Sequence, residues 1–307
     1  MRTGVAALIV VCIVAFATEA ALGQDFRLLA WNVESNRPSS PPVSDPVVLG
    51  KELTELLTAA ATRSQIIALS EVDPKSFQVF AKAAATGLKS EIDFVTSASG
   101  GFQDTDSLML VVDKSRFLIE DAMELHRFAG VSANFNVTEE SSPEFGTLRA
   151  RSPLAVKLRD KSDQKTFWVI VNHLARGEAE LRTDQARMLV KWAAAHPEPI
   201  ISAGDHNFDF EFKSQQGNPG FDAMVEGGVW EWLKPDPLID SNWSSDFRIQ
   251  DRNVDRYPDS ILDFIFVANQ AKGWHGKSTV VVRDEDFPDN EKTSDHRPLI
   301  ADFNPVK

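Results

Sequence analysis

Ser202-Ala203-Gly204-Asp205-His206-Asn207-Phe208-Asp209, entered through Pro199-Ile200-Ile201, decides how the rest of the chain is read. The apolar run reads as the end of a buried strand. Gly204 then permits a tight turn and a close backbone approach. Two carboxylates and an amide follow, Asp205, Asn207 and Asp209. This puts acid and amide at the carboxyl edge of a strand, where ligands bind in α/β folds. Asp and Asn are also ordinary turn residues, so this stretch alone leaves a plain turn open.

Working outward, the same event recurs. Phe26-Arg27-Leu28-Leu29-Ala30-Trp31-Asn32-Val33-Glu34 is a strand candidate that ends in an amide and a carboxylate. Ile66-Ile67-Ala68-Leu69 ends in Ser70-Glu71-Val72-Asp73, and Thr166 to Val171 ends in Asn172-His173. Ile261 to Val267 is an apolar strand interrupted by Asp263, and Ser294-Asp295-His296-Arg297-Pro298 precedes a last strand, Leu299 to Phe303. Further strands are expected at Ile92 to Thr96, Ser107 to Val112, Phe117 to Leu125, Leu154 to Leu158 and Val280 to Val282.

Helices fall between them. Asp45-Pro46 supplies a cap and a first-turn proline for Leu49, Leu53, Leu56, Leu57 and Ala60 at helical spacing. A second helix is expected from Pro74 to Ala85. A third carries Leu181, Met188, Leu189 and Trp192 on one face and stops before Pro197. Residues 128–147 read as loop and 210–257 as an irregular insert. No composition shift marks a linker, so one α/β domain with packed sheets is the simplest architecture.

The first residues are read apart from the fold. Arg2, the apolar run Val5 to Phe16, and Ala21-Leu22-Gly23 before Gln24 have the layout of a secretory leader. Residues 1–23 are therefore expected to be a signal peptide and 24–307 the mature domain, exported to a periplasm or to the exterior. An uncleaved anchor is the alternative. Cleavage removes Arg2 and Glu19 together, so the net charge of −13 is unchanged. The chain's one cysteine, Cys12, leaves with the leader, so the mature domain has no disulfide. So acidic a chain is a poor generic binder of nucleic acid or anionic membrane. A hydrolase with a local cation remains compatible with that charge. No membrane span is expected in the mature chain, and no protein partner is implied.

Six strands thus deliver a polar group at or near one end: Asn32, Glu71, His173, Asp205 with Asn207, Asp263, and Asp295 with His296. Singly, each reads as a turn, a cap or a hydrogen-bonded histidine. Asp263 is the least bland, because a carboxylate inside Ile-Leu-Asp-Phe-Ile-Phe must be paired or metal-bound to be buried.

Together, Trp-Asn-Val-Glu, Leu-Ser-Glu-Val-Asp, Val-Asn-His-Leu, Gly-Asp-His-Asn, Ile-Leu-Asp-Phe-Ile and Ser-Asp-His-Arg-Pro come in an order that resembles the endonuclease/exonuclease/phosphatase family, the deoxyribonuclease I-like superfamily. The resemblance runs from about residue 25 to 305. It implies a four-layer α/β sandwich, two packed mixed sheets flanked by helices. It also implies hydrolysis of a phosphate ester with Mg²⁺, or with Mn²⁺ or Ca²⁺ in its place. Carboxylates and amides are the oxygen ligands such ions take, and a structural thiolate site is excluded by the missing cysteines.

By this resemblance Glu71 is the main metal ligand, Asn32 assists, and Asp295 serves a second or shifted position. Asp205 orients or deprotonates the attacking water, and Asn207 holds a phosphate oxygen. His296, oriented by Asp263, stabilises the developing charge or aids the leaving group. His173 contacts the phosphate from the other side. Arg151, ahead of Pro153, is a candidate phosphate contact, with a solvated strand-end charge as its plain reading.

Two departures qualify the match. His206 stands where many members carry Phe, either covering the strand end or adding a proton donor. No tyrosine lies near 107–112, the chain's one tyrosine being Tyr257. That weakens a match to the abasic-site repair branch. Asp106 is instead placed to orient His173, as an acid does in the secreted deoxyribonuclease branch. In the insert, Trp230, Trp232 and Trp243 are expected to pack as core rather than to stack bases or grip lipid. The functional expectation is an exported phosphodiesterase, a nuclease on DNA or RNA. The alternatives are a sphingomyelinase-like or sugar-phosphate enzyme on the same fold and, last, a non-catalytic binding protein.

Overall fold

A computed structural model describes residues 25–35, 45–97, 106–125, 151–242, 260–283 and 293–305, with the backbone at 138–139. The expected signal peptide at 1–23 lies outside the described residues, as do Trp243 and Tyr257. In chain order the elements are β1 (Phe26–Asn32), α1 (Pro46–Thr58), β2 (Ile66–Val72), α2 (Phe77–Leu88), β3 (Ile92–Thr96), β4 (Ser107–Asp113), β5 (Phe117–Glu124), β6 (Thr138–Glu139), β7 (Leu154–Asp160) and β8 (Thr166–His173). They continue as α3 (Ala179–Ala195), β9 (Ile200–Glu211), α4 (Pro219–Val225), β10 (Trp230–Trp232), β11 (Ser260–Ala268), β12 (Lys277–Val280) and β13 (Leu299–Phe303).

The strands form two mixed sheets. One runs β12-β13-β1-β2-β4-β3, the other β10-β11-β9-β8-β7-β5-β6. Alternation along each strand divides its side chains between two cores. Phe26, Leu28 and Ala30 of β1 enter a cluster between the sheets with Phe167, Val169 and Val171 of β8 and with Ile201 and Ala203 of β9. Leu29 and Trp31 face the other way, onto Leu53 and Leu57 of α1 and Phe80 and Ala84 of α2. Trp168 and Ile170 of β8 likewise turn outward, onto Met188, Leu189 and Trp192 of α3 and Met224 of α4. Helix, sheet, sheet, helix is the four-layer α/β sandwich that the family resemblance implies.

Local chemistry sets the helix limits. Asp45 accepts from the Val47 N–H at 2.9 Å ahead of Pro46, which starts α1. The expected helix from Pro74 is a 3-10 turn, Pro74–Ser76, followed by α2. Asp73 caps that turn through the Lys75 N–H. Among the described residues no helix is long and apolar enough to cross a membrane.

Four local expectations are corrected. The strand entering the Gly-Asp-His-Asn stretch does not end there, because β9 runs on to Glu211 and pairs with β11 along its length. The insert is partly regular, with α4 and β10 inside it. Phe210, Phe221, Trp232 and Phe264 pack ring against ring there, at centroid distances of 4.7 to 5.8 Å. The strand expected at Val280 to Val282 is β12, which ends at Val280. Within the expected loop 128–147, Thr138–Glu139 pairs in parallel with β5. Trp230 is buried and Trp232 packs against the α3–α4 core, as core residues do.

Candidate active site

Simple strand alternation explains why distant polar groups meet. Asn32 is two residues beyond Ala30, His173 two beyond Val171, Asp205 two beyond Ala203, and Asp263 two before Ile265, all of which belong to the inter-sheet core. Each polar residue continues the inward face past the point where the apolar filling stops. All four are buried. The partners join across the sheets: Asn32 Nδ2 donates to Asp205 Oδ2 at 3.1 Å, and His173 Nε2 lies 3.3 Å from Glu71 Oε1.

Glu71 needs a further device. Alternation alone would turn it outward with Ile67 and Leu69. Its backbone instead takes φ +53°, and the β2–β4 register shifts between Leu69 and Val72. A bulge of this kind re-aims a side chain. Ser35 holds the bulge, since its N–H and its hydroxyl both donate to the Glu71 carbonyl, at 2.9 and 3.0 Å. The re-aimed carboxylate accepts from Asn32 Nδ2 at 2.9 Å, while Asn32 Oδ1 accepts from the Glu34 N–H at 3.1 Å.

Gly204 sets the β8–β9 approach. It takes φ +120°, and a Cβ there would lie 2.5 Å from the Asn172 carbonyl oxygen. Only glycine allows this pairing, which brings His173 opposite Asp205.

The second histidine sits on the other side of Asp205. His296 Nδ1 lies 2.7 Å from Asp263 Oδ2, and His296 Nε2 lies 3.9 Å from Asp205 Oδ2 and 3.6 Å from Asp295 Oδ1. Ser294 ties this turn to β1, donating to the Asn32 carbonyl at 2.5 Å and accepting from the His296 N–H at 3.0 Å. Trp31 Nε1 donates to the His296 carbonyl at 3.0 Å. Burial opposes a charge on His296, yet Asp263, Asp295 and Asp205 together hold its pKa well above the ordinary histidine value.

His173 is braced by Asp106, whose Oδ1 lies 2.8 Å from His173 Nδ1 and whose Oδ2 lies 2.8 Å from Arg151. The Arg151 guanidinium also lies against the His173 ring. Burial and the Arg151 charge push the His173 pKa down, but Asp106 and Glu71 outweigh them and the pKa is raised. Asp106 is lowered despite its burial, by the charges of His173 and Arg151. Gln185 of α3 joins this corner to the chain after His173, accepting from the Ala175 N–H at 2.8 Å and donating to the Arg151 carbonyl at 2.9 Å.

The motif around Asp205 divides between two faces. Asp205 Oδ1 accepts from the Asn207 N–H at 2.9 Å, and burial raises the Asp205 pKa although His173 and His296 act against it. Asn207, at φ +53°, donates its amide to the Leu174 carbonyl at 3.0 Å. His206 points the other way, into the α3–α4 side. Its ring lies 5.2 to 5.9 Å from those of Phe208, Phe264 and Phe266. Its nitrogens pair with the Gly204 carbonyl at 2.9 Å and Ser202 Oγ at 3.1 Å. His206 thus covers the strand from behind and is no proton donor to the site. Burial pushes its pKa down to about 4.

Glu71, His173 and Asp205 bring ligand atoms within 4.8 Å of one another. Glu71 and Asp205 are hard oxygen donors, with Asn32 bonded to both and Asp295 beyond His296. Such an oxygen-rich set fits a divalent cation of the Mg²⁺ type. The sequence-derived residues Asn32, Glu71, His173, Asp205, Asp263, Asp295 and His296 therefore form one constellation. Arg151 joins it through His173, and Asn207 through Asp205. Ser35, Gln185 and Ser241 were not singled out from sequence. The stretches around Ser35 and Ser241 carry no periodicity, whereas Gln185 stands on the Leu181–Met188–Trp192 face of the third helix, where a buried polar group is a readable signal.

No family model matches the sequence, and no curated protein matches it. Solved structures match the fold. An endonuclease/exonuclease/phosphatase of Bacteroides vulgatus superposes with a TM-score of 0.63 at 17% identity, over 92% of this chain and 99% of that one. A mannosyl-6-phosphatase of Bacteroides thetaiotaomicron gives 0.59 at 15% identity, over 91% and 99%. TDP2 of D. rerio, complexed with a single-strand DNA product, gives 0.60 at 15% identity, over 92% and 100%. The chain has the endonuclease/exonuclease/phosphatase fold.

Proposed function

We propose that the chain is a metal-dependent phosphoric ester hydrolase of the endonuclease/exonuclease/phosphatase type that is exported and acts as a nuclease. One observation carries the chemistry. Two carboxylates bridged by Asn32 meet two histidines at one end of the sandwich, with an acid behind each histidine that raises its pKa. A bare turn or a capping role requires no such arrangement.

In this reading Glu71 holds the cation, with Asn32 against it and Asp295 at a second or shifted position. When bound, the cation supplies Lewis-acid polarisation of a phosphoryl oxygen. Asp205, whose raised pKa suits a proton acceptor, orients the attacking water and takes its proton as the new O–P bond forms. His296 faces the charge that develops on the phosphoryl group. Its Nε2 proton goes to the leaving oxygen as the old P–O bond breaks, and Asp263 keeps the ring charged and turned. Arg151, His173 and Asn207 receive the remaining phosphate oxygens.

A second reading keeps the chemistry and changes the ester to a sugar phosphate. It is favoured by the mannosyl-6-phosphatase, which superposes as well as the DNA-bound TDP2 does. The test is a hydrolysis screen with Mg²⁺, Mn²⁺ or Ca²⁺ on plasmid DNA, single-stranded DNA, RNA, sphingomyelin and sugar monophosphates. Metal-dependent nicking or degradation of nucleic acid is expected. Turnover of a sugar monophosphate or sphingomyelin alone would discard the nuclease reading and retain the mechanism. Export is checked by the mass of the protein from its native host, which is expected to begin at Gln24.

A further inference from the structure

Behind the His296–Asp263 pair lies a side chain with a fully determined set of hydrogen bonds. Ser241 Oγ lies 2.9 Å from Asp263 Oδ2, 3.0 Å from the Leu262 nitrogen and 3.1 Å from the Asp263 nitrogen. A serine hydroxyl has one proton and two lone pairs. The two backbone N–H groups can only donate, so they fill the lone pairs. The hydroxyl proton is therefore committed to Asp263 Oδ2. That same oxygen accepts from His296 Nδ1 at 2.7 Å, while Oδ1 of Asp263 is buried without a hydrogen-bond partner among the described residues.

Ser241 is itself held from both sides. Its N–H donates to the Ser260 carbonyl at 3.3 Å, and its carbonyl accepts from the Arg297 N–H at 2.7 Å. The Arg297 guanidinium pairs with Asp240 at 3.0 Å, and Asn242 bridges to His296 through the backbone. The hydroxyl is thus fully buried and pinned to the two segments that carry Asp263 and His296.

We propose that Ser241 is a positioning residue for His296, acting through Asp263. Its hydroxyl proton selects the carboxylate oxygen that faces the ring and locks the Asp263 side-chain rotation. Without it, the carboxylate can turn to present either oxygen, and the His296 ring loses its fixed aim at the reacting phosphate. The effect on rate rests on the hydrolase reading above, whereas the effect on the His296–Asp263 hydrogen bond does not.

The test compares Ser241→Ala, Ser241→Thr and His296→Ala in the purified protein. Two measurements are made on each: steady-state hydrolysis of bis-p-nitrophenyl phosphate with Mg²⁺, and the downfield proton resonance of His296 Nδ1–H, assigned by its loss in His296→Ala. Ser241→Ala is expected to lower kcat by roughly 10–100-fold, with KM little changed, and to shift or erase the resonance. Ser241→Thr, which keeps the hydroxyl, is expected to restore most of both. A resonance missing from the unsubstituted protein, one unmoved in Ser241→Ala, or a loss that threonine does not restore would overturn the proposal. If no ester is turned over by the unsubstituted protein, the hydrolase reading fails by itself, and the resonance alone decides the role of Ser241.

Discussion

Asp205 and Asp263 stand directly opposite each other on the antiparallel strands β9 and β11, both buried, with His296 reaching from one to the other. Two facing carboxylates repel each other unless a cation lies between them. The His296 ring supplies that charge, and its raised pKa is the other side of the same interaction. Replacing Asp263 with Asn keeps the shape and removes the charge that holds the ring protonated. kcat for phosphate ester hydrolysis is expected to fall by about 10²–10⁴-fold, with the fold intact by circular dichroism. Wild-type kcat in Asp263→Asn would contradict this role.

His206 gives a prediction about stability alone. Its folded pKa, about 4, lies below the value of 6.5 for an unperturbed histidine. Between those values the unfolded chain binds the proton and the folded chain does not, so stability falls as pH drops through this window. Above it there is no effect, and below it the loss levels off at about 3 kcal/mol. His206→Phe, which suits the ring cluster around it, is expected to flatten urea-unfolding stability between pH 6.5 and 4 and to leave hydrolysis at pH 7 unchanged. A variant whose profile runs parallel to the wild type would refute the assignment.

Gly204→Ala should be among the most damaging small substitutions. The added methyl group meets the Asn172 carbonyl oxygen at 2.5 Å, and the φ of +120° is strained for alanine. The expected loss is roughly 2–4 kcal/mol, read as a lowered urea midpoint. A loss under about 0.5 kcal/mol would mean that β8 and β9 are not held this close.

Cation binding is testable without any substrate. A ligand that binds only the folded state raises the melting temperature by mass action. Mn²⁺ or Mg²⁺ should therefore raise Tm in the wild type and not in Glu71→Gln, with chelator reversing the rise. An equal rise in the variant would move the cation away from Glu71.

Much of this was legible in the sequence, and the reason is periodicity. Runs such as Phe167–Val171 and Ile200–Ala203 mark buried strands, and continuing their alternation by two residues finds His173 and Asp205. The same rule, applied to Ser202, Gly204 and His206, turns His206 away from Asp205, so that signal was available. Glu71 defies it, because glutamate is no residue for a left-handed bulge, and Ser35, folded beside it, holds one there. The helix α4 is announced by Asn218 and Pro219 as cap and first residue. It was lost in a stretch whose packing is decided by aromatic rings from elsewhere in the chain. Ser241 has no signature of its own, since a serine in a polar segment gains its meaning only from what tertiary structure sets against it, whereas Gln185 is readable as a polar group on the apolar face of α3.

The most direct test of the central claim is release of p-nitrophenolate from bis-p-nitrophenyl phosphate by the purified protein, with Mg²⁺ and with chelator, beside His296→Ala and Glu71→Gln. The constellation predicts turnover that disappears with chelator and in both variants while each stays folded. Turnover that persists in chelator, or that survives loss of His296, would contradict it.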